Sequence, residues 1–212
     1  MTDNSAKPDR EASLRNRITV ASYGRYAAGY AEATRTMSTT GQEMLQVLAR
    51  ALPAGGNILE IGSGPGWDAD YLEAIGFSVR RTDAAPSFVA MQRERGKAAE
   101  TLDLISGELE GPYDGALVLY VLQHIDASLL AGVLAKLARC LSPAGRVLLT
   151  YREGEGTLTE HGEVSGDYHI TLRSPEAFRA ALRSAGLEPA WERRTQDEDG
   201  DWCAILAKVM QR

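Results

Sequence analysis

Apolar positions along the chain alternate between two periods. Thr40-Gly-Gln-Glu43 has the Ser/Thr-x-x-Glu form of a capping box. Met44, Leu45, Leu48, Ala49 and Leu52 then fall on one helical face until Pro53 stops it. Short apolar runs read as strands at Asn57 to Ile61, Ser78 to Thr82, Thr101 to Leu104, Ala116 to Val121 and Arg146 to Tyr151, with helical stretches between them. Asp126 is a good N-cap for a helix carrying Leu129, Leu130, Val133, Leu134, Leu137 and Leu141, which Ser142-Pro143-Ala144-Gly145 stops. Ser174-Pro175-Glu176 opens another, with Phe178, Ala181, Leu182 and Ala185 on its apolar face and Gly186 behind it. Strands alternating with helices predict an α/β fold with a mostly parallel sheet joined by right-handed crossovers. The last two strands, Pro189 to Arg194 and Ala204 to Val209, are separated only by the turn-like QDEDGD, so they should pair antiparallel, making seven strands in all.

Residues 1–17 alternate charge with little hydrophobicity and are expected to form a frayed or disordered tail, leaving 18–212 as a single domain. The 212 residues agree with one domain, and 44% hydrophobic with 25% charged residues is the balance of a folded globular chain. The net charge of −6 disfavours nucleic acid and anionic membrane surfaces as partners. Cys140 and Cys203 stand apart without any Cys-x-x-Cys or Cys/His grouping, so neither a disulfide framework nor a structural metal site is expected. The polar N-terminus lacks a signal-peptide core and no apolar run approaches a membrane span, which points to a cytoplasmic protein, monomer or homodimer.

The most informative stretch is ILEIGSGPGWDADYL, Ile58 to Leu72. Gly62, Gly64 and Gly66 directly follow a strand and precede a helix, where a tight backbone turn can approach a nucleotide or nucleoside at the carboxyl edge of a parallel sheet. Asp83 ends the next strand, where a carboxylate accepts hydrogen bonds from ribose hydroxyls. The spacing is Gly-x-Gly-x-Gly rather than the Gly-x-Gly-x-x-Gly suited to a pyrophosphate, and Glu60 and Asp68 put negative charge beside it. A ligand with a ribose and a cationic head but no phosphate fits better than a dinucleotide.

Glu60-Ile-Gly-Ser-Gly-Pro-Gly66, Asp83, the Tyr113-Asp114-Gly115-Ala116 opening of the fourth strand and Leu122-Gln123-His124-Ile125 after it resemble the class I S-adenosylmethionine-dependent methyltransferases. The resemblance runs from about Tyr23 to Val209. It implies a three-layer Rossmann-like sandwich, a seven-stranded sheet with an antiparallel last strand and helices on both faces. It also implies methyl transfer from S-adenosyl-L-methionine to a small-molecule acceptor, leaving S-adenosyl-L-homocysteine. Tyr23-x-x-x-Ala27-x-x-Tyr30 looks like the N-terminal lid of small-molecule members, making 18–52 a helical lid plus the helix leading into the sheet. By resemblance, Gly62, Ser63 and Gly64 approach the methionine part, with Glu60 and Gly66 shaping the turn. Asp83 holds the ribose, Ala84 lies against the adenine, Asp103 and Leu104 flank its amino group, and Leu119 and Tyr120 lie along the methionine chain. Tyr120 is bulky where the family commonly has a small residue.

Such chemistry is an in-line displacement, in which proximity and orientation can supply up to about 7–11 kcal/mol. Where the acceptor must lose a proton, histidine is the natural base near neutral pH. His124, after the fourth strand, is the candidate; the plain alternative is a packing or capping residue at a helix start. His161 and His169 fall in REGEGTLTEHGEVSGDYHITL, expected to be a Gly-rich substrate loop or lid over 152–171. Tyr30, Tyr151, His161 and Tyr168 are candidates for the acceptor pocket, with core packing the alternative for each tyrosine. Asp197-x-Asp199-x-Asp201 starts like a calcium loop, but Trp202 and Lys208 replace the required Gly and Glu, so it reads as a solvated turn. Arg93, Arg95 and Lys97 read as helix termination. An NAD(P)-dependent oxidoreductase and a non-catalytic nucleoside-binding protein remain as alternatives.

Overall fold

The computed structural model describes residues 6–210. Seven strands form one sheet in the order β3-β2-β1-β4-β5-β9-β8. They are β1 (Asn57–Ile61), β2 (Ser78–Asp83), β3 (Ala99–Thr101), β4 (Tyr113–Val118), β5 (Leu141–Arg152), β8 (Leu187–Asp197) and β9 (Gly200–Val209). The first five pair in parallel, β9 runs antiparallel to β5, and β8 pairs antiparallel with β9, as the short acidic turn requires. The third strand begins two residues earlier than expected, at Ala99–Thr101 instead of Thr101 to Leu104, because the chain leaves the sheet once Leu102 N–H has bonded Asp83 O.

Helices cover both faces. Helix α5 (Ala127–Cys140) and α6 (Pro175–Ser184) bury Val133, Leu134, Leu137, Phe178 and Leu182 against one face; α2 (Thr39–Ala51) buries Met44, Leu45 and Leu48 against the other. Asp126 and Ser174 cap α5 and α6 as their sequences predict. The cap of α2 is instead Ser38, whose hydroxyl accepts from Gly41 N–H at 3.0 Å, two residues before the capping box at Thr40.

Two expectations are corrected. Residues from Ala6 belong to a 28-residue helix, α1 (Ala6–Ala33), and not to a frayed tail; Met1 to Ser5 lie outside the described residues. Its buried face is small and polar: Ala12, Asn16, Thr19, Ser22, Ala27 and Ala31, while Leu14, Ile18 and Tyr26 face outward. Helical spacing is present, but not in the hydrophobic residues that normally reveal it. Polar side chains can be buried there because each finds a partner: Asn16 Nδ2 donates to His124 O at 3.3 Å, and Ser22 Oγ to Asp167 O at 2.7 Å. The 152–171 segment likewise is no loop. It holds an antiparallel hairpin, β6 (Thr157–Gly162) and β7 (Gly166–Thr171), whose strands are largely polar on both faces and which packs against α1.

Beneath the glycine turn lies a buried charge. Arg81 on β2 is 1% exposed and reaches Asp70 (2.7 Å) and Glu73 (2.7 Å) on α3 (Trp67–Ala74). Arg95 and Lys97 follow α4 (Pro86–Glu94); they end that helix as expected, and they also close on the same two acids at 2.7 and 2.9 Å. Removing one partner of a buried pair costs about 3–5 kcal/mol. Arg81→Ala should therefore lower stability by about 3 kcal/mol in urea unfolding; a loss below about 1 kcal/mol would mean that Arg95 and Lys97 hold the acids unaided.

Candidate active site

β1 ends at Ile61 and the chain turns through Gly62, Gly64 and Gly66 with φ of +71°, +51° and +85°. Side chains are excluded here by more than backbone strain: a Cβ on Gly62 would collide with Val121 Cγ2, and one on Gly66 would lie 2.7 Å from Arg81 Nη1. The turn is held from below. Gln92 Nε2 donates to Ser63 Oγ (2.7 Å) and Gly64 O (2.8 Å), Arg81 Nη1 donates to Gly66 O (3.2 Å), and Ser63 N–H bonds Thr82 O at 2.9 Å.

Asp83, at the carboxyl end of β2, accepts from Gly64 N–H (2.8 Å) and Ala85 N–H (2.7 Å), one with each carboxylate oxygen. Burial pushes its pKa up to about 6, against the opposing effect of those two N–H groups. Beside it, Ala84, Ala85, Phe88, Leu102, Asp103 and Leu104 line a cavity of about 100 Å³, roofed by Asn16, Thr19, Val20 and Tyr23 of α1. A second cavity of about 440 Å³ lies across the turn. It is enclosed by the segment 33–38 at the end of α1, the Glu60 to Asp68 stretch, and Asp197 and Asp199 where β8 turns into β9. Tyr30, Ile61, Gly62, Gly64, Leu119 and Tyr120 line both.

Tyr120 sits at the junction with φ +57°, the one non-glycine residue described in the left-handed region. Its N–H donates to Thr150 Oγ1 (2.7 Å) and its carbonyl accepts from Gln123 Nε2 (2.5 Å), which offsets the cost of that conformation. The ring stands edge-on to Trp202 at 5.1 Å.

His124 is tied on every side. A carbonyl can only accept, so the 3.1 Å contact with His169 O makes Nδ1 the protonated nitrogen. Nε2 then accepts from Tyr23 Oη at 3.0 Å and from Gln123 Nε2 at 3.1 Å. Burial lowers its pKa to about 4, so the ring is neutral near pH 7. Tyr23, itself pushed up by burial, remains a phenol and donor, packed edge-on against Tyr30, Tyr168 and His124.

Other sequence candidates fall elsewhere. Tyr151 is fully buried in the core, stacked on Phe178 at 4.1 Å, and lines neither cavity. His161 is exposed on β6, paired with Asp167 at 2.8 Å. Tyr168 backs Tyr23 without reaching either wall, and Gly66 supports the turn from behind. Asn16, Thr19, Phe88, Met37 and Met44 line the cavities without any motif in the sequence to announce them.

With this geometry in place, the comparisons decide the family. A model of a methyltransferase domain matches residues 32–190, about three quarters of the chain. The chain belongs to that methyltransferase family. Membership in a methyltransferase family sets aside the oxidoreductase alternative. It is 24% identical over 161 residues to a ubiquinone biosynthesis O-methyltransferase of Xanthomonas axonopodis pv. citri, covering 67% of this chain and 66% of that protein. A namesake from Xanthomonas oryzae pv. oryzae is 25% identical over 170 residues, covering 76% and 70%. This methyltransferase thus spans about two thirds of the length of the curated relatives it matches. Among solved structures, the Burkholderia thailandensis 1,6-didemethyltoxoflavin-N1-methyltransferase, holding S-adenosylhomocysteine, superposes with TM-score 0.72 at 19% identity, covering 100% of this chain and 94% of that one.

Two features of the methyltransferase fit that cofactor: a buried acceptor carboxylate at Asp83 beside the glycine cradle, and cavity walls without lysine or arginine among the described residues, as suits a phosphate-free ligand. Among the described residues no helix is long and apolar enough to cross a membrane. The tautomer assignment is directly testable. In long-range ¹H–¹⁵N spectra His124 should stay neutral with Nδ1 protonated from about pH 8 down to about pH 5; a titration midpoint at 6.5 or above would contradict the arrangement.

Proposed function

We propose that the protein methylates a small-molecule acceptor by in-line displacement, catalysed mainly by holding acceptor and donor aligned between its two cavities. The observation that carries this reading is the buried Asp83 carboxylate and the glycine turn standing between a small cavity under α1 and a larger one of about 440 Å³, a volume in the usual range for small-molecule sites. The relatives named for ubiquinone biosynthesis and for a toxoflavin precursor support an acceptor of that class.

S-adenosylmethionine, when bound, supplies an activated methyl group on a cationic sulfur. In this reading Asp83 accepts the ribose hydroxyls with the lone pairs that Gly64 and Ala85 leave free. Ala84, Asp103 and Leu104 flank the adenine, roofed by Tyr23. The Gly62, Ser63 and Gly64 backbone meets the methionine part, with Glu60 and Gly66 shaping the turn. Leu119 and Tyr120 separate this side from the acceptor, and Tyr30 closes over both. His124 acts as a positioning residue: with Nε2 occupied by Tyr23 and Nδ1–H by β7, it joins lid helix, hairpin and β4 end around the site. Alignment in a water-poor enclosure then carries most of the rate.

Calorimetry with S-adenosylhomocysteine tests this. One saturable site is expected, weakened at least about tenfold in Asp83→Ala with the far-UV spectrum unchanged; no heat at millimolar ligand would refute the reading. The pH dependence follows from Asp83. Because its folded pKa is raised to about 6, lowering the pH through that value protonates the carboxylate, which the fold tolerates and the ribose does not. Affinity should fall about tenfold between pH 7.5 and about pH 5 if only the carboxylate form binds, and this dependence should flatten in Asp83→Asn.

A further inference from the structure

A third cavity, of about 280 Å³, shares no lining residue with the two at the glycine turn. It is held between the start of α5, the start of α6 and the Gly154-Glu155-Gly156 segment that joins β5 to β6. Ala127, Leu130, Leu172, Ala177 and Phe178 make most of its wall apolar. Arg173 is the one cation among its described lining residues, and it is only 7% exposed.

A buried guanidinium is costly unless an anion answers it. Among the described residues Arg173 has no carboxylate partner. Its Nη1 donates to Leu122 O (2.8 Å) and Thr171 O (3.1 Å), its Nη2 donates to Ile125 O, and its Nε is buried with no partner. Three carbonyls thus take three of the five N–H donors, leaving Nε–H and one N–H of Nη2. Nε and Nη2 form one edge of the guanidinium, and that edge is spaced to hold both oxygens of a carboxylate. Burial pushes the Arg173 pKa down to about 10, with only Asp126 opposing. Asp126 is itself engaged by Arg15 and by the Ser128 N–H at 3.0 Å.

The surroundings favour the same sign of ligand. Ala127 is the first residue of α5 and Ser174 the N-cap of α6, so the positive ends of two helix dipoles meet at the cavity. Glu155, the one acid among the described lining residues, is exposed and screened by solvent. Glu153, bridged to Arg173 through the backbone, is taken by Arg194 at 2.8 Å.

We infer that this third cavity binds a small molecule carrying a carboxylate on an apolar body, the carboxylate on the Nε–Nη2 edge of Arg173 and the body against Leu130, Leu172 and Phe178. The site is separate from the methyl-transfer site and stands independently of that reading. An ammonium adds a like charge to the buried guanidinium, and a hydroxyl supplies one neutral acceptor where a carboxylate supplies two charged ones. An occupant also touches the group that gathers the Leu122 and Ile125 carbonyls around His124.

The test titrates the protein with 4-phenylbutyrate, 4-phenylbutan-1-ol and 4-phenylbutylamine and follows its ¹H–¹⁵N spectrum. The carboxylate should bind at least about tenfold more tightly than the alcohol, and the amine not at all. Shifts should centre on Ala127, Gly156, Ala177 and the Arg173 Nε–H. Ala177→Trp, at an exposed position in the first turn of α6, fills the cavity and leaves the guanidinium in place, so it should abolish binding of the carboxylate. Arg173→Gln should weaken it about tenfold or more; if that variant does not fold, Ala177→Trp decides alone. No shifts at millimolar 4-phenylbutyrate, equal binding of carboxylate and alcohol, shifts centred on Gly62 to Gly66 instead, or unchanged binding in Ala177→Trp would each overturn the inference.

Discussion

The site depends on one clamp. A turn with three glycines in left-handed backbone conformations is intrinsically loose, because glycine loses more conformational freedom on ordering than any other residue. Here Gln92 and Arg81, both buried under the turn, hydrogen-bond Ser63, Gly64 and Gly66, while Asp83 takes the Gly64 N–H from the side. The Arg81 charge is sustained by Asp70 and Glu73, which Arg95 and Lys97 hold in place from the far end of α4. A chain of polar contacts thus runs from the α4 terminus to the backbone of the glycine turn. Without it, the glycines would have no reason to keep the shape on which the two cavities depend.

A second set of contacts closes the site from above. His124, neutral and fully engaged, links Tyr23 of α1 to the β7 backbone, and Thr19 accepts the His169 N–H at 2.9 Å. Arg173, buried with no carboxylate partner among the described residues, gathers the Leu122 and Ile125 carbonyls on either side of His124. These contacts tie helix α1, the hairpin and the turn after β4 together. The acids have a corresponding division of labour: Asp70 and Glu73 on α3 balance Arg81, while Glu60, Asp68, Asp83, Asp103, Asp197 and Asp199 face the cavities.

Where the sequence was legible, one period dominated. The parallel strands and the antiparallel final pair followed from apolar strands punctuated by glycine, proline and a turn too short for a crossover. Asp83 and the glycine turn stand out in the sequence because a tight strand-to-helix turn and a carboxylate ending the next strand admit few residue types. The part of helix α1 before residue 18 was missed because its buried stripe there is Ala12 and Asn16, and the burial of Asn16 depends on the His124 carbonyl, more than 100 residues away. The β6–β7 hairpin was missed for the same reason, being polar on both faces. Tyr151 looked like a pocket residue because an aromatic at the carboxyl end of a strand can face either the cavity or the helix layer, and only packing against Phe178 decides. Asp197 and Asp199 were visible as an acidic turn, but their place opposite Glu60 is a property of the folded sheet.

The central claim, that Asp83 and the clamped glycine turn hold the cofactor between the two cavities, is tested most directly by a crystal structure of the protein with S-adenosylhomocysteine. The ribose hydroxyls should lie within hydrogen-bond distance of the Asp83 carboxylate, the adenine beneath α1 beside Asp103 and Leu104, and the methionine part against Gly62 to Gly64, with the Gln92 contacts intact. Ligand bound elsewhere, or bound with Asp83 turned away and the Gln92 contacts broken, would contradict it.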